Sequence, residues 1–360
     1  MPRPIRANFS LSALRHNLGV ARRRAPRSKI WAVVKANAYG HGLLRAARAL
    51  AEADGYALLD LDEAVRLREA GFTQPILLLE GLFGPADLDL VARYRLSLAL
   101  HDFGQIAMLE RARLDAPVPV WLKLNTGLNR LGFTGTQVRE AYARIEASGK
   151  AQPISLMTHF ADADGGAGVE AQLARYAEWS AGLRGAASLA NSAALLRYPQ
   201  THADWVRPGI MLYGCSPFAD TSAHALGLRP AMTLASEIIA LQNLAPGERV
   251  GYGGTYTAEQ PMRIGVVACG YADGYPRHAP GAGARATPVL VEGQRTRIVG
   301  RVAMDMFCVD LRAIPQARVG SPVIIWGEGL PADEVAASAG TIAYELLCAL
   351  AARVPQAEHE

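Results

Sequence analysis

The chain has 360 residues, half of them hydrophobic and 19% charged, which is apolar mass enough for one large α/β domain and a smaller one and excludes a disordered polypeptide. The formal net charge is +4, but the basic residues are scattered, with Arg22 to Arg24 as their one cluster; a nucleic-acid surface is not indicated, and anionic small molecules suit the charge equally well. No uncharged apolar run approaches the roughly 18 residues of a membrane span, no apolar signal segment follows Arg3, Arg6 and Arg15, and Cys215, Cys269, Cys308 and Cys348 lie far apart with no C-x-x-C pair, so the expectation is a soluble cytoplasmic protein with reduced thiols and no metal site.

In chain order, residues 3–9 (RPIRANF) read as a short strand and LSALRHNLGVARRRAP as a first helix, with Leu11, Leu14 and Leu18 on one stripe. Eight short apolar runs follow: IWAVVK (30–35), GYALLD (55–60), PILLLE (75–80), LSLALH (96–101), VPVWLKLN (118–125), PISLMTHF (153–160), AASLANS (186–192) and WVRPGIMLYG (205–214). Helical patterns such as GLLRAARALAEA and VEAQLARYAEWSAGL lie between them. This alternation predicts a parallel (β/α)8 TIM-type barrel, although an open doubly wound sheet would give a similar string. The strand ends favour the barrel. Nearly every run closes on a group able to do chemistry: Lys35, Asp60, Glu80, His101, Lys123 with Asn125, His159, Asn191 with Ser192, and Arg207. Barrel active sites are assembled at the C-terminal ends of strands.

After Gly227 the pattern turns to β-branched runs with Pro-Gly and Glu-Gly turns. The reading is therefore a barrel over residues 10–226 and a smaller, mostly β C-terminal domain over 227–360, which the strand in residues 1–9 would join. Near the end, DEVAASAGTIAYELLCALAARV reads as one amphipathic helix.

The stretch IWAVVKANAYGHG carries the first chemical suggestion. An apolar β-branched run ends in a single lysine, Lys35, before a Gly-bounded turn. Burial disfavours the ammonium form, which suits a nucleophile that forms a Schiff base with a carbonyl cofactor. A lysine reaching from a strand end into solvent fits the strand pattern as well. Tyr39 follows four residues later.

The segments VVKANAYGHG, KLNTGLNRLGF, THF, NSAA, VRPGIMLYG, VGYGGTY, GYADGY and VAMD together resemble, in order and over nearly the whole chain, the bacterial alanine racemases, which depend on pyridoxal 5'-phosphate (PLP). The resemblance implies that Lys35 carries PLP, while Tyr39, Ser192, Gly209 and Ile210 hold its phosphate. Arg207 would face the pyridine nitrogen. An arginine keeps its proton at neutral pH, so it donates to an unprotonated ring nitrogen and leaves the ring a weaker electron sink. Such a ring favours return of the α-proton over transamination, and PLP decarboxylases of similar fold place a carboxylate there instead.

The resemblance further implies that Lys123 is carbamylated and holds Arg130 beside the cofactor's phenolic oxygen and the substrate carboxylate. Racemisation needs a second base on the face opposite Lys35. That base would be Tyr252, entering the partner subunit's barrel with Tyr271, Met304 and Asp305, and served by a relay through His159 and Arg207. The implied assembly is a homodimer with shared active sites. At Ala352 the chain departs from the family, several of whose members have a phosphate-binding tyrosine there; that contact is not carried over to this chain.

The expected activity is interconversion of L- and D-alanine, supplying D-alanine for peptidoglycan or catabolising it. Alternatives are a racemase of broader amino-acid range, a PLP decarboxylase, against which Arg207 argues, and a non-catalytic PLP-binding barrel, against which the β domain bearing GYGGTY argues.

Overall fold

The computed structural model describes residues 3–283 and 286–360. After strand β1 (Arg6–Ser10) and the helix Leu11–Arg24, each of the eight apolar runs supplies one strand: β2 (Lys29–Val33), β3 (Gly55–Leu58), β4 (Ile76–Leu78), β5 (Ser97–Leu100), β6 (Val118–Lys123), β7 (Ala151–Met157), β8 (Ala187–Asn191) and β9 (Trp205–Arg207). They pair in chain order, all parallel, and β9 closes on β2 with Lys29 opposite Trp205 and Ile30 opposite Val206. The closed TIM-type barrel expected from the alternation is present, and the open sheet is excluded.

The barrel is filled, not hollow. β2 and β6 stand on opposite sides of the ring, so Trp31 and Trp121, whose ring centroids are 6.1 Å apart, meet across the lumen. Trp205 stacks on Trp31 at 4.2 Å. This indole layer packs the barrel below the strand ends and leaves their C-terminal side for polar groups.

Contacts divide the chain into two units, the barrel (Arg15–Ala38 with Gly42–Leu212) and a second unit made of the chain up to Leu14, Tyr39–His41 and Tyr213–Glu360. The second unit is mostly β. Its strands are β1, β10 (Met232–Leu244), β11 (Arg249–Val250), β12 (Tyr256–Thr257), β13 (Met262–Val267), β14 (Pro288–Val291), β15 (Gln294–Val299), β16 (Phe307–Asp310), β17 (Pro322–Trp326) and β18 (Gln356–His359). The long β10 pairs with β17 through its first half and with β13 through its second, turning the sheet back on itself. β1 pairs with both β10 and β18, so the two ends of the chain lie side by side in this sheet.

One sequence expectation fails here. Residues 333–354 do not form a single helix but contribute two, Ala332–Ala339 and Ala343–Cys348. Gly340 takes a left-handed φ of 73° and its N–H caps Ala336 and Ala337, which ends the first helix as a glycine C-cap does. Among the described residues no helix is long and apolar enough to cross a membrane.

Candidate active site

Lys123, Asn191 and Arg207 are the last residues of β6, β8 and β9, and Lys35 and His159 follow shortly after β2 and β7. Not all strand-end groups are free for chemistry. Asp60 N-caps the helix Leu61–Glu69 through the Asp62 N–H, and Asn191 N-caps Ser192–Arg197 through the Ala194 N–H. His101 bonds the Glu80 carbonyl at 3.0 Å and pairs with Asp102 at 3.3 Å. The Asn125 carboxamide oxygen accepts from the Asn129 and Gly127 N–H groups and shapes the loop that carries Arg130. That loop folds back on β6 at Gly132, where a Cβ would lie 2.7 Å from the Lys123 carbonyl oxygen.

Lys35 is half-buried and opens a left-handed turn. Ala36, Asn37, Ala38 and Tyr39 all have φ between 51° and 54°, a conformation that costs L-residues about 1–2 kcal/mol each. The surroundings offset that cost. Glu63 accepts the Asn37 N–H at 3.0 Å, the Asn37 side chain accepts the Leu43 N–H at 2.9 Å, and its carbonyl accepts the Gly42 N–H at 2.9 Å. The Gly-bounded turn read from the sequence is thus a strained segment whose braces lie on the following helices, and it fixes where the Lys35 backbone emerges.

Arg207 is 4% exposed. One terminal nitrogen donates to the carbonyl and the hydroxyl of Ser188, at 2.7 and 2.6 Å, and the other to the carbonyls of Thr158 and Leu189. Burial lowers its pKa to about 10, which leaves it charged at neutral pH. Lys123 is also buried, and desolvation, helped by Arg207, Arg130 and Lys35 and opposed by Glu80, lowers its pKa to about 8. His159 is held well below the usual imidazole range by burial and by Arg207, Lys123, Arg130 and Lys35. Five of the residues expected in the site therefore act on one another at the strand ends: buried Lys123 and Arg207, half-buried Lys35 and exposed Arg130 all bear on the half-buried His159 imidazole. Such a cluster calls for an anionic ligand. Beside it, the Gly209 N–H donates to the Ser192 hydroxyl at 2.8 Å, and Ile210 is fully buried.

The remaining expected residues belong to the second unit. Tyr39 is buried, its ring stacked at 4.6 Å on Tyr213 and 6.0 Å from Tyr344. Burial raises its phenol pKa, with Tyr344 and Cys348 adding to the effect, so Tyr39 stays a neutral hydroxyl. Tyr252 is 73% exposed on the turn Tyr252–Gly254, which Arg249 braces by donating to the carbonyls of Gly253 and Gly254. Tyr271 and Met304 are exposed as well, and Asp305 is half-buried. Ala352 is exposed.

The family is settled by comparison of the chain with known proteins. Residues 9–217 match the family description "Alanine racemase, N-terminal domain" and residues 231–358 "Alanine racemase, C-terminal domain". The chain belongs to the alanine racemase family. It is 58% identical over 356 residues to the alanine racemase of Ralstonia pickettii, covering 99% of this chain and 95% of that protein. Among solved structures it is similar to the biosynthetic alanine racemase of Pseudomonas aeruginosa, with a TM-score of 0.96 and 48% identity over 99% of this chain and 100% of that one. The alanine racemase of Acinetobacter baumannii gives 0.93 and 38% over 99% of this chain and 100% of that one. Membership carries the reaction class with it: the chain is an amino-acid racemase, an isomerase.

Sequence reasoning missed Ser188 and Glu63, which anchor Arg207 and the Lys35 turn, while Thr158, whose carbonyl also holds Arg207, opens the THF segment. Ser188 gave a signal, as a hydroxyl in the middle of the apolar run AASLANS. Glu63 gave none, being one acid among several on an amphipathic helix.

Proposed function

We propose that this enzyme interconverts L- and D-alanine with PLP as cofactor and two bases, Lys35 of one subunit and Tyr252 of its partner. The observation that carries the reading is the cluster of Lys35, Lys123, Arg130 and Arg207 around neutral His159, a donor set suited to a phosphorylated cofactor and a substrate carboxylate. The primary amine and the buried Ser192 and Gly209 pair fit the same group. When bound, PLP supplies an electron sink for the Cα–H bond.

The protein's residues do the rest. Lys35 carries the cofactor and moves the α-proton on one face; Tyr252 moves it on the other. Both terminal nitrogens of Arg207 are occupied by backbone and side-chain acceptors, so Nε–H is the donor it would offer the pyridine nitrogen of a bound cofactor; because arginine keeps its proton, it would leave that nitrogen unprotonated. Tyr39, Ser192, Gly209 and Ile210 are assigned to the phosphate, with His159 and Arg207 as the relay towards Tyr252. A lysine with a pKa near 8 is partly an uncharged amine at neutral pH, the form that reacts with CO2. Carbamylation would turn Lys123 into an anion that neutralises part of the cluster and orients Arg130 towards the substrate carboxylate. Tyr271, Met304 and Asp305 are assigned to the substrate entrance of the partner subunit's barrel in a homodimer. We place the enzyme in the cytoplasm, supplying D-alanine for peptidoglycan or consuming it.

The deciding experiment combines two measurements on the purified protein: racemisation of L-alanine followed by optical rotation, and borohydride fixation of the cofactor followed by peptide mapping. Racemisation with the adduct on Lys35 is expected. An inactive protein, or an adduct on another lysine, would overturn the assignment.

A further inference from the structure

Both ends of the chain converge on one buried carboxylate. Asp273 closes the short turn Tyr271–Asp273, and its side chain has no exposed surface. One of its oxygens accepts from Arg3 at 2.8 Å and from Nε of Arg353 at 2.8 Å. The other accepts from Arg3 at 3.1 Å and from the Gly270 N–H at 2.9 Å. Burial alone would raise the pKa of this carboxyl, but the hydrogen bonds from Arg3, Arg353 and Gly270 outweigh it and hold the group below the usual carboxylate range.

Each arginine then reaches onward to the same residue. Arg3 donates to the Asp305 carbonyl at 2.6 Å, and Arg353 donates to the Asp305 carboxylate at 2.7 Å. The two loops are also joined directly, the Tyr271 and Ala272 N–H groups donating to the carbonyls of Ala303 and Met304 at 3.1 and 3.0 Å. At Gly270 a Cβ would lie 2.3 Å from the Met304 carbonyl oxygen, so the approach requires glycine. Tyr271 and Met304, although exposed, thus stand on backbone tied to a four-residue ion network.

We infer that Arg3 and Arg353, acting through Asp273, are positioning residues that fix Tyr271, Met304 and Asp305 and thereby set which amino-acid side chains the enzyme accepts. This rests on the reading that those three residues form the substrate entrance. The physical reason is geometric. A polar or apolar opening rejects a side chain one atom larger only if its walls do not yield, and the Arg3 fork on the buried Asp273 carboxylate, with Arg353 bridging Asp273 to Asp305, gives the backbone of both loops one position. The C-terminal RVP segment, whose preceding position here is Ala352, serves the entrance through Arg353.

The test uses the full-length PLP-loaded enzyme and the variants Arg3→Gln and Arg353→Gln. Both side chains are about two-fifths exposed, at 39% and 42%, and each variant leaves one guanidinium on Asp273. The readouts are kcat and KM for L-alanine and L-serine, with the thermal midpoint measured alongside. A drop of about 5- to 10-fold in the alanine-over-serine ratio of kcat/KM is expected, carried mainly by KM. Should a glutamine variant fail to fold, Arg3→Lys and Arg353→Lys, which keep the charge and lose the fork, give the same comparison. Lower midpoints with a wild-type ratio would overturn the inference and leave the network a purely structural clamp. Met304→Ala and Tyr271→Phe separate the two levels: if they move the ratio and the arginine variants do not, this inference alone fails; if none moves it, the entrance reading fails first.

Discussion

The guanidinium of Arg207 lies 3.4 Å from Nδ1 of His159. A group that can only donate makes that nitrogen an acceptor, and so places the proton of a neutral His159 on Nε2. Burial and the surrounding cations enforce the neutral form. The barrel thereby holds a histidine that stays uncharged where a free one would begin to protonate.

This has a consequence for stability against pH. Because the folded pKa of His159 lies below its unfolded value near 6.5, the unfolded chain takes up the proton first as pH falls. The contribution is fully present above pH 6.5 and is lost as pH falls towards the folded pKa. Stability should therefore fall between pH 7 and pH 5 on account of this group. His159→Gln is expected to lose less stability than the wild type over that interval, as read from denaturant midpoints at both pH values; equal losses would refute a depressed His159.

Lys123 gives the opposite end of the scale. Its folded pKa near 8 against an unfolded value of 10.5 means that stability rises with pH between the two, and that a charged Lys123 costs about 3 kcal/mol at pH 7. The proposed carbamylation would remove that cost. Labelling with 13C-bicarbonate should give a carbamate carbonyl resonance that is absent from Lys123→Ala. That variant should be slowed by at least about tenfold and partly rescued by acetate. A wild-type spectrum without the resonance would exclude the carbamate.

For Tyr252, the expected effect is one-sided. If, as proposed, Lys35 takes the α-proton of D-alanine and Tyr252 that of L-alanine, Tyr252→Phe should slow solvent exchange of the L-alanine α-proton by about 100-fold or more. D-alanine exchange should change far less. Proton NMR in D2O reads both, and equal losses would argue against separate bases.

Lys35 belongs to the barrel and Tyr252, 73% exposed, to the other unit. Homodimers of Lys35→Ala and of Tyr252→Phe should both be nearly inactive. Mixed after subunit exchange, they should recover activity, because one site of each mixed dimer collects both intact residues. No recovery after verified exchange would show that the bases come from one chain.

The barrel was legible in the sequence because its signal is local: each short apolar run becomes one strand, and each ends near a polar residue whatever the rest of the chain does. The identities of Lys35, Lys123, His159 and Arg207 were legible for the same reason. Their arrangement was not. Asp60, Asn125 and Asn191 look as reactive as these in the sequence, yet the folded backbone uses them as caps and loop braces. The break at Gly340 lies inside an otherwise helical pattern. Residue order alone sets the period of the apolar runs and the kinds of side chain at their ends. Tertiary structure alone decided the left-handed turn after Lys35, whose brace Glu63 stands 26 residues away, and the meeting of Arg3 with Arg353 on Asp273. Those features depend on hydrogen bonds and burial between residues distant in the chain, where composition and periodicity carry no signal.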